Sequence, residues 1–147
     1  MSDDIRIAVV TADALPRCQA IRRTVYVEGM GIPEHLEVDG RDGECVQLLL
    51  QCDGVDAGTA RLREHDGAAK IERVAVLADA RGRGLGRRLM DALEAEARRR
   101  GFAEVVLYAQ VGVIAFYEKL GYVSEGERFV EADIPHQTMR KALTAPS

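Results

Sequence analysis

The chain has 147 residues, 47% of them hydrophobic and 30% charged, which suits one soluble domain with a single core and excludes a disordered or fibrous protein. A net charge of −4 and a pI of about 5.4 argue against nucleic acid as the main partner. Cys18, Cys45 and Cys52 form no C-x-x-C pair, so free thiols in a reducing cytoplasm and no metal site are expected.

Taken in chain order, the acidic start Met1-Ser2-Asp3-Asp4 is expected to carry no secretion signal. Ile5–Val10 reads as a strand. A helix follows from Asp13, a good N-cap, to Val27, with Leu15, Ile21 and Val25 on its apolar side. Residues 28–44 hold Gly29, Gly31, Pro33, Gly40 and Gly43 and read as loop. They also crowd Glu28, Glu34, Glu37, Asp39, Asp42 and Glu44 against Arg41 alone, which predicts a negative potential suited to a cation. Cys45–Asp53 and Val55–Glu64 read as a hairpin turning at Asp53-Gly54, and Asp66-Gly67 turns the chain into a strand at Lys70–Leu77.

Next comes Arg81-Gly82-Arg83-Gly84-Leu85-Gly86-Arg87, between that strand and a helix whose Leu85, Leu89 and Leu93 recur every four positions. A glycine-rich turn at a helix start binds anions, because the free N–H groups and the positive dipole end face a ligand that glycine lets close. The dinucleotide fingerprint G-x-G-x-x-G fails at Arg87, and no Gly-Lys-Ser/Thr completes a Walker loop. The helix closes at Gly101 behind Arg98, Arg99 and Arg100, whose charges complement the negative end of its dipole. Ala103–Ala109 is an apolar strand and Val111–Leu120 a short helix closed by Gly121. Two last strands follow at Tyr122–Glu131 and His136–Leu143. The longest charge-free run, Val105–Tyr117, is too short to span a bilayer. The order β-α-β-β-β-α-β-α-β-β predicts a single α/β domain over residues 1–147 with a mixed sheet.

Arg81-x-x-Gly84-x-Gly86 resembles the pyrophosphate loop of the GNAT superfamily of N-acetyltransferases. Gln110, and Ala115-Phe116-Tyr117-Glu118-Lys119-Leu120-Gly121-Tyr122 after it, resemble that superfamily's strand end and following helix. Val27–Glu34 and Glu131–Met139 are similar to its small bacterial ElaA-like branch. Gly29 and Gln47 depart from that branch, which carries an acidic or glutamine residue and a histidine there. The resemblance covers about Ile5–Leu143. It implies a GNAT-like acyl-CoA N-acyltransferase fold and transfer from acetyl-CoA to a primary amine.

The resemblance also implies roles. The backbone of Val74, Ala75 and Val76 would meet the pantetheine arm as an added strand does. The N–H groups of Gly82, Arg83, Gly84, Leu85, Gly86 and Arg87 would cradle the pyrophosphate. Side chains of Arg81, Arg83, Arg87 and Arg88 would either touch phosphate or face solvent. Gln110 would hold the pantetheine arm or end its strand, and Phe116 would meet the cofactor or belong to the core. Tyr117 is the expected general acid toward the leaving sulfur, its other reading being an aromatic packed beneath the donor. For the base, Glu72 is favoured because alternation from Val74 puts it on the cofactor face, with His136 and Glu28 as alternatives. The acidic segment leads to an expected preference for acceptors with a second positive charge. The final two strands would offer an edge for a homodimer. The competing reading is a silent acyl-CoA-binding sensor on the same fold.

Overall fold

The computed structural model describes residues 4–144. The start at 1–3 and the end at 145–147 lie outside the described residues. Among the described residues, seven strands form one mixed sheet in the order β1-β2-β3-β4-β5-β7-β6. They are β1 Ile5–Val10, β2 Val46–Cys52, β3 Val55–His65, β4 Ala68–Val76, β5 Glu104–Gln110, β6 Val123–Glu131 and β7 Ile134–Ala142. The helices are α1 Leu15–Arg22, α2 Glu34–Glu37, α3 Leu85–Arg99 and α4 Ile114–Lys119. No helix among the described residues is long and apolar enough to cross a membrane.

The strands and α3 follow the predicted order, and the turns explain why. Asp53 and Gly54 (φ 51° and 81°), like Asp66 and Gly67 (φ 51° and 83°), hold the paired positive φ values that a two-residue hairpin needs. A third hairpin turns at Ala132 and Asp133 (φ 52° and 60°), inside the break expected between Glu131 and His136 but without the glycine of the other two. β7 lies between β5 and β6, which leaves β6 alone as the edge at that end of the sheet.

The first helix departs from expectation. Asp13 does not cap it, because its carboxylate takes the Thr11 hydroxyl and a 3-10 turn at Ala12–Ala14 precedes α1. Beyond Arg22 the helix widens into π geometry over Arg23–Gly29. A Cβ on Gly29 would lie 3.1 Å from the Thr24 carbonyl oxygen, so the wide turn is closely packed there. The presumed loop holds α2, whose N-cap is Pro33 and whose first turn carries Glu34 at the positive dipole end.

Alternation along β2 separates two layers. Leu48, Leu50 and Cys52 pack with Leu85, Leu89, Met90 and Leu93 of α3 on one face. Leu49 packs with Cys18, Ile21 and Val25 on the face covered by α1. At the centre, β4 and β5 pair in parallel only at Ala69–Val105, Lys70–Val106 and Ile71–Leu107. Beyond that point β4 stays with β3 and β5 with β7, so the two strands part. A bulge starts the divergence: the β3–β4 register slips between Thr59–Ala75 and Arg61–Glu72, with Arg73 at φ 56°.

The bulge also corrects the placing of Glu72. Ile71, Val74 and Val76 all pack in the layer under α3. Glu72 therefore points to the opposite face from Val74, not the same one, because the extra residue breaks the period of two.

Candidate active site

The gap between β4 and β5 opens a cavity of about 740 Å³ that reaches both faces of the sheet. That is within the range of small-molecule sites, several hundred to about 1,000 Å³. Val74, Ala75 and Val76 line it from the free side of β4, and Gln110 lines it from the end of β5. The Val74 carbonyl accepts a hydrogen bond from the Tyr26 hydroxyl (2.6 Å), and the Val76 carbonyl accepts one from Arg81 Nε (2.9 Å). Tyr26 was not foreseen: it sits in the π-helical turn, and no motif marks it.

At one mouth the chain leaves β4 through a 3-10 turn at Ala78–Ala80 and starts α3 with Gly84 as N-cap. Gly82 (φ 79°) and Gly84 (φ 72°) occupy the left-handed region, and a Cβ on either would meet nothing within 4 Å. Glycine is there for its backbone conformation and for an open approach to the N–H groups, not to relieve a clash. Arg81, Gly82, Leu85 and Gly86 line the cavity, whereas Arg83, Gly84 and Arg87 do not. A Cβ on Gly86 would lie 3.4 Å from Phe116, so that glycine lets α3 and α4 approach. Gly84→Val is expected to weaken acetyl-CoA binding at least tenfold, about 1.4 kcal/mol, because a branched residue resists that φ and screens the N–H groups. Unchanged affinity by calorimetry in the folded variant removes the anion-loop assignment.

Phe116 and Tyr117 reach the cavity from α4. The Tyr117 ring packs edge-on against Phe116 (5.0 Å between centroids) and Tyr122 (5.8 Å). No hydrogen-bond partner for its hydroxyl is found among the described residues, and burial pushes its pKa up to about 12. The phenol therefore stays protonated and is available to a group entering the cavity.

A strand splayed from its neighbour, a glycine loop at a helix start and a tyrosine thus stand around one cavity. Residues 35–143 fit the family described as acetyltransferase (GNAT) domain. The chain belongs to the GNAT acetyltransferase family. It is an acyl-CoA-dependent N-acetyltransferase. A Bacillus subtilis (strain 168) protein whose acetyltransferase designation is provisional is 39% identical over 124 residues, 82% of this chain and 84% of that one. The crystal structure of an acyl-CoA N-acyltransferase from Pseudomonas aeruginosa is 34% identical with a TM-score of 0.84, covering 96% of this chain and 100% of the other. Escherichia coli ElaA shares the fold, with a TM-score of 0.82 at 23% identity over 95% of this chain and 99% of its own.

The α1 side of this acetyltransferase's cavity is strongly charged. Glu72 lines it and holds Arg61 (3.1 Å), Arg63 (3.1 Å) and Lys70 (3.0 Å). Burial pulls the Glu72 pKa up, but the Arg63 hydrogen bond and the Lys70 and Arg61 charges outweigh it and leave it below the ordinary glutamate value. His136, buried on the cavity wall, stacks on Phe129 and places Nδ1 2.7 Å from the Ile134 carbonyl. In a neutral ring that nitrogen is the donor, which leaves Nε2 as the acceptor. Glu28, the third candidate base, does not line the cavity and pairs with Arg23 at 3.8 Å.

Ion pairs offset most of the negative potential expected from residues 28–44. Glu37 pairs with Arg22 (3.3 Å), Asp42 with Arg22 (2.6 Å) and Arg61 (2.9 Å), and Asp39 with Arg61 (2.6 Å) and Arg73 (3.5 Å). Glu34 and Glu28 pair with Arg23, and Glu44 with Arg41. Most of these cations come from α1, β3 and β4, so counting charges within the segment missed them. Gln47, where the ElaA-like branch has histidine, donates to the Asp42 carboxylate (3.0 Å) and joins the same buried network.

Proposed function

We propose that this chain moves an acetyl group from acetyl-CoA to a primary amine by direct attack, with Tyr117 serving the departing sulfur. The observation that carries the proposal is the parting of β4 from β5 after Ile71–Leu107, which joins the anion loop, Tyr117 and the charged α1 face in one cavity. The donor supplies an activated thioester carbonyl; the protein's part is to hold, orient and move protons. Free strand edge at Val74–Val76 suits the amide-rich pantetheine arm, with Tyr26 and Arg81 fixing the two carbonyls. The α3 N–H groups suit the pyrophosphate. None of Cys18, Cys45 or Cys52 lines the cavity, and burial raises the thiol pKa of Cys18 and Cys45, which favours direct transfer over a cysteine relay. All three are free thiols, in keeping with a cytoplasmic protein, and the β6 edge is where two copies would pair.

An alkyl amine has a pKa of about 10.4, so delivering it neutral at pH 7 costs about 4.6 kcal/mol. Glu72, tied to three cations, is a weak proton acceptor, so His136 Nε2 takes the proton, directly or through water. His136→Gln is then expected to lower kcat/KM about 10²-fold at pH 7 and much less at pH 9, where more amine is already neutral. With Tyr117 at about 12, activity is expected to rise from pH 7 to 9 with no descending limb below about pH 10. An equal loss at both pH values rules His136 out as the base. The transfer itself is tested by CoA release across polyamines, amino sugars, amino acids and peptides: the expected result is an N-acetylated product matching the CoA released. Acetyl-CoA binding with no amine acetylated would favour the acyl-CoA sensor.

A further inference from the structure

We infer that the acceptor amine also carries a carboxylate, held by Arg63 and Lys70 on the α1 side of the cavity; this rests on the transferase reading above. Arg63 and Lys70 are cross-strand partners on β3 and β4, an arrangement in which like charges repel. Both line the cavity and both are largely desolvated, with side chains 10% and 8% exposed. Their shared carboxylate partner is Glu72, which also serves Arg61. Arg61 is answered in addition by Asp39 and Asp42. One glutamate against two cavity-wall cations leaves a surplus of one positive charge. Lys70 Nζ lies 3.8 Å from the Tyr108 ring centroid, which offsets part of its desolvation but supplies no anion.

The other carboxylates on the cavity wall do not remove the surplus. Glu37 and Asp39 are committed to Arg22, Arg61 and Arg73, and Glu131 stands exposed on the β6–β7 hairpin. A buried surplus of one charge fits a monoanion better than a doubly charged phosphate. A guanidinium fork beside an ammonium is a good receiver for a planar carboxylate. A second positive charge on the acceptor would be repelled, the reverse of what the sequence alone suggested. Amino acids and short peptides with a free C-terminus are the class that carries amine and carboxylate together.

The test compares kcat/KM for a panel of L-amino acids and dipeptides, the same compounds as C-terminal amides, and an aliphatic diamine, with products identified by mass. An amino amide has the less basic amine, so more of it is neutral at pH 7 to 8 and chemistry alone favours the amide. The parent enzyme is nevertheless expected to prefer the acid at least tenfold and to use the diamine poorly. Arg63→Met should bring the acid-to-amide ratio toward one through KM, and Lys70→Met should do the same if the first variant folds badly. Acetyl-CoA affinity by calorimetry reports that each variant is folded. Amides or the diamine used as well as the acids, or a ratio unmoved in either folded variant, overturns the carboxylate pocket and leaves the transferase reading standing. No acetylated amine at all, with acetyl-CoA still bound, overturns the transferase reading and this inference with it.

Discussion

Tyr117→Phe is expected to lower kcat about 10²-fold while changing acetyl-CoA affinity less than about twofold. The change keeps the ring that packs on Phe116 and Tyr122 and removes only the hydroxyl. A free phenol, near pKa 10, is a weaker acid than a thiol near 8.5, so complete proton transfer to a free thiolate is uphill by about 2 kcal/mol. The same burial that lifts Tyr117 to about 12 also raises the basicity of a thiolate leaving in that cavity. The hydroxyl therefore acts first as a hydrogen-bond donor to charge developing on sulfur, and its proton follows as that charge matures. An interaction made only as the bond breaks belongs in kcat. A variant that turns over at the parent rate makes Tyr117 a packing residue, and water the proton source.

Arg61→Met should be the most destabilising of the charge substitutions, at about 3 kcal/mol by urea unfolding. Arg61 is 1% exposed and holds Asp39, Asp42 and Glu72 together, so methionine fills its volume but leaves the partly buried Asp42 and Glu72 short of a cation. Arg6→Met is the control: that arginine pairs with Asp4 in solvent, with side chains 76% and 61% exposed, and should cost less than about 0.5 kcal/mol. Equal effects would mean that the buried network adds nothing beyond packing. The network also sets the acid limit. Burial pulls Asp39 up, but Arg61 and the Arg41 backbone N–H outweigh it and leave its pKa at about 2, below the ordinary aspartate value. A depressed carboxylate stabilises the fold above its unfolded pKa and loses that contribution as pH falls through the folded value. The parent should therefore lose stability between about pH 4 and 2, and Arg61→Met should lose less of its remaining stability over that interval.

What the sequence made legible was local. Asp53-Gly54 and Asp66-Gly67 carry their own turn geometry, and Leu85, Leu89 and Leu93 carry the period of α3. The phosphate loop was readable because glycine and a helix start do their chemistry within seven residues, Arg81 to Arg87. The other end of the cavity depends on partners far apart in the chain. No propensity at Arg73 signals a bulge, yet that bulge turns Glu72 away from Val74 and parts β4 from β5. Arg22 and Arg61 both pair with Asp42, from 20 and 19 positions away, which makes that part of the acidic run structural. Tyr26 reaches the Val74 carbonyl across 48 positions, from a π-helical turn that helical periodicity does not foretell.

Direct transfer within one cavity is tested most directly by initial rates with acetyl-CoA and an accepted amine varied together. Donor and acceptor held at the same time in the gap between β4 and β5 give intersecting double-reciprocal lines, because both must be bound before any CoA leaves. Parallel lines, with CoA released before the amine binds, would place the acetyl group on the protein in between and contradict direct attack.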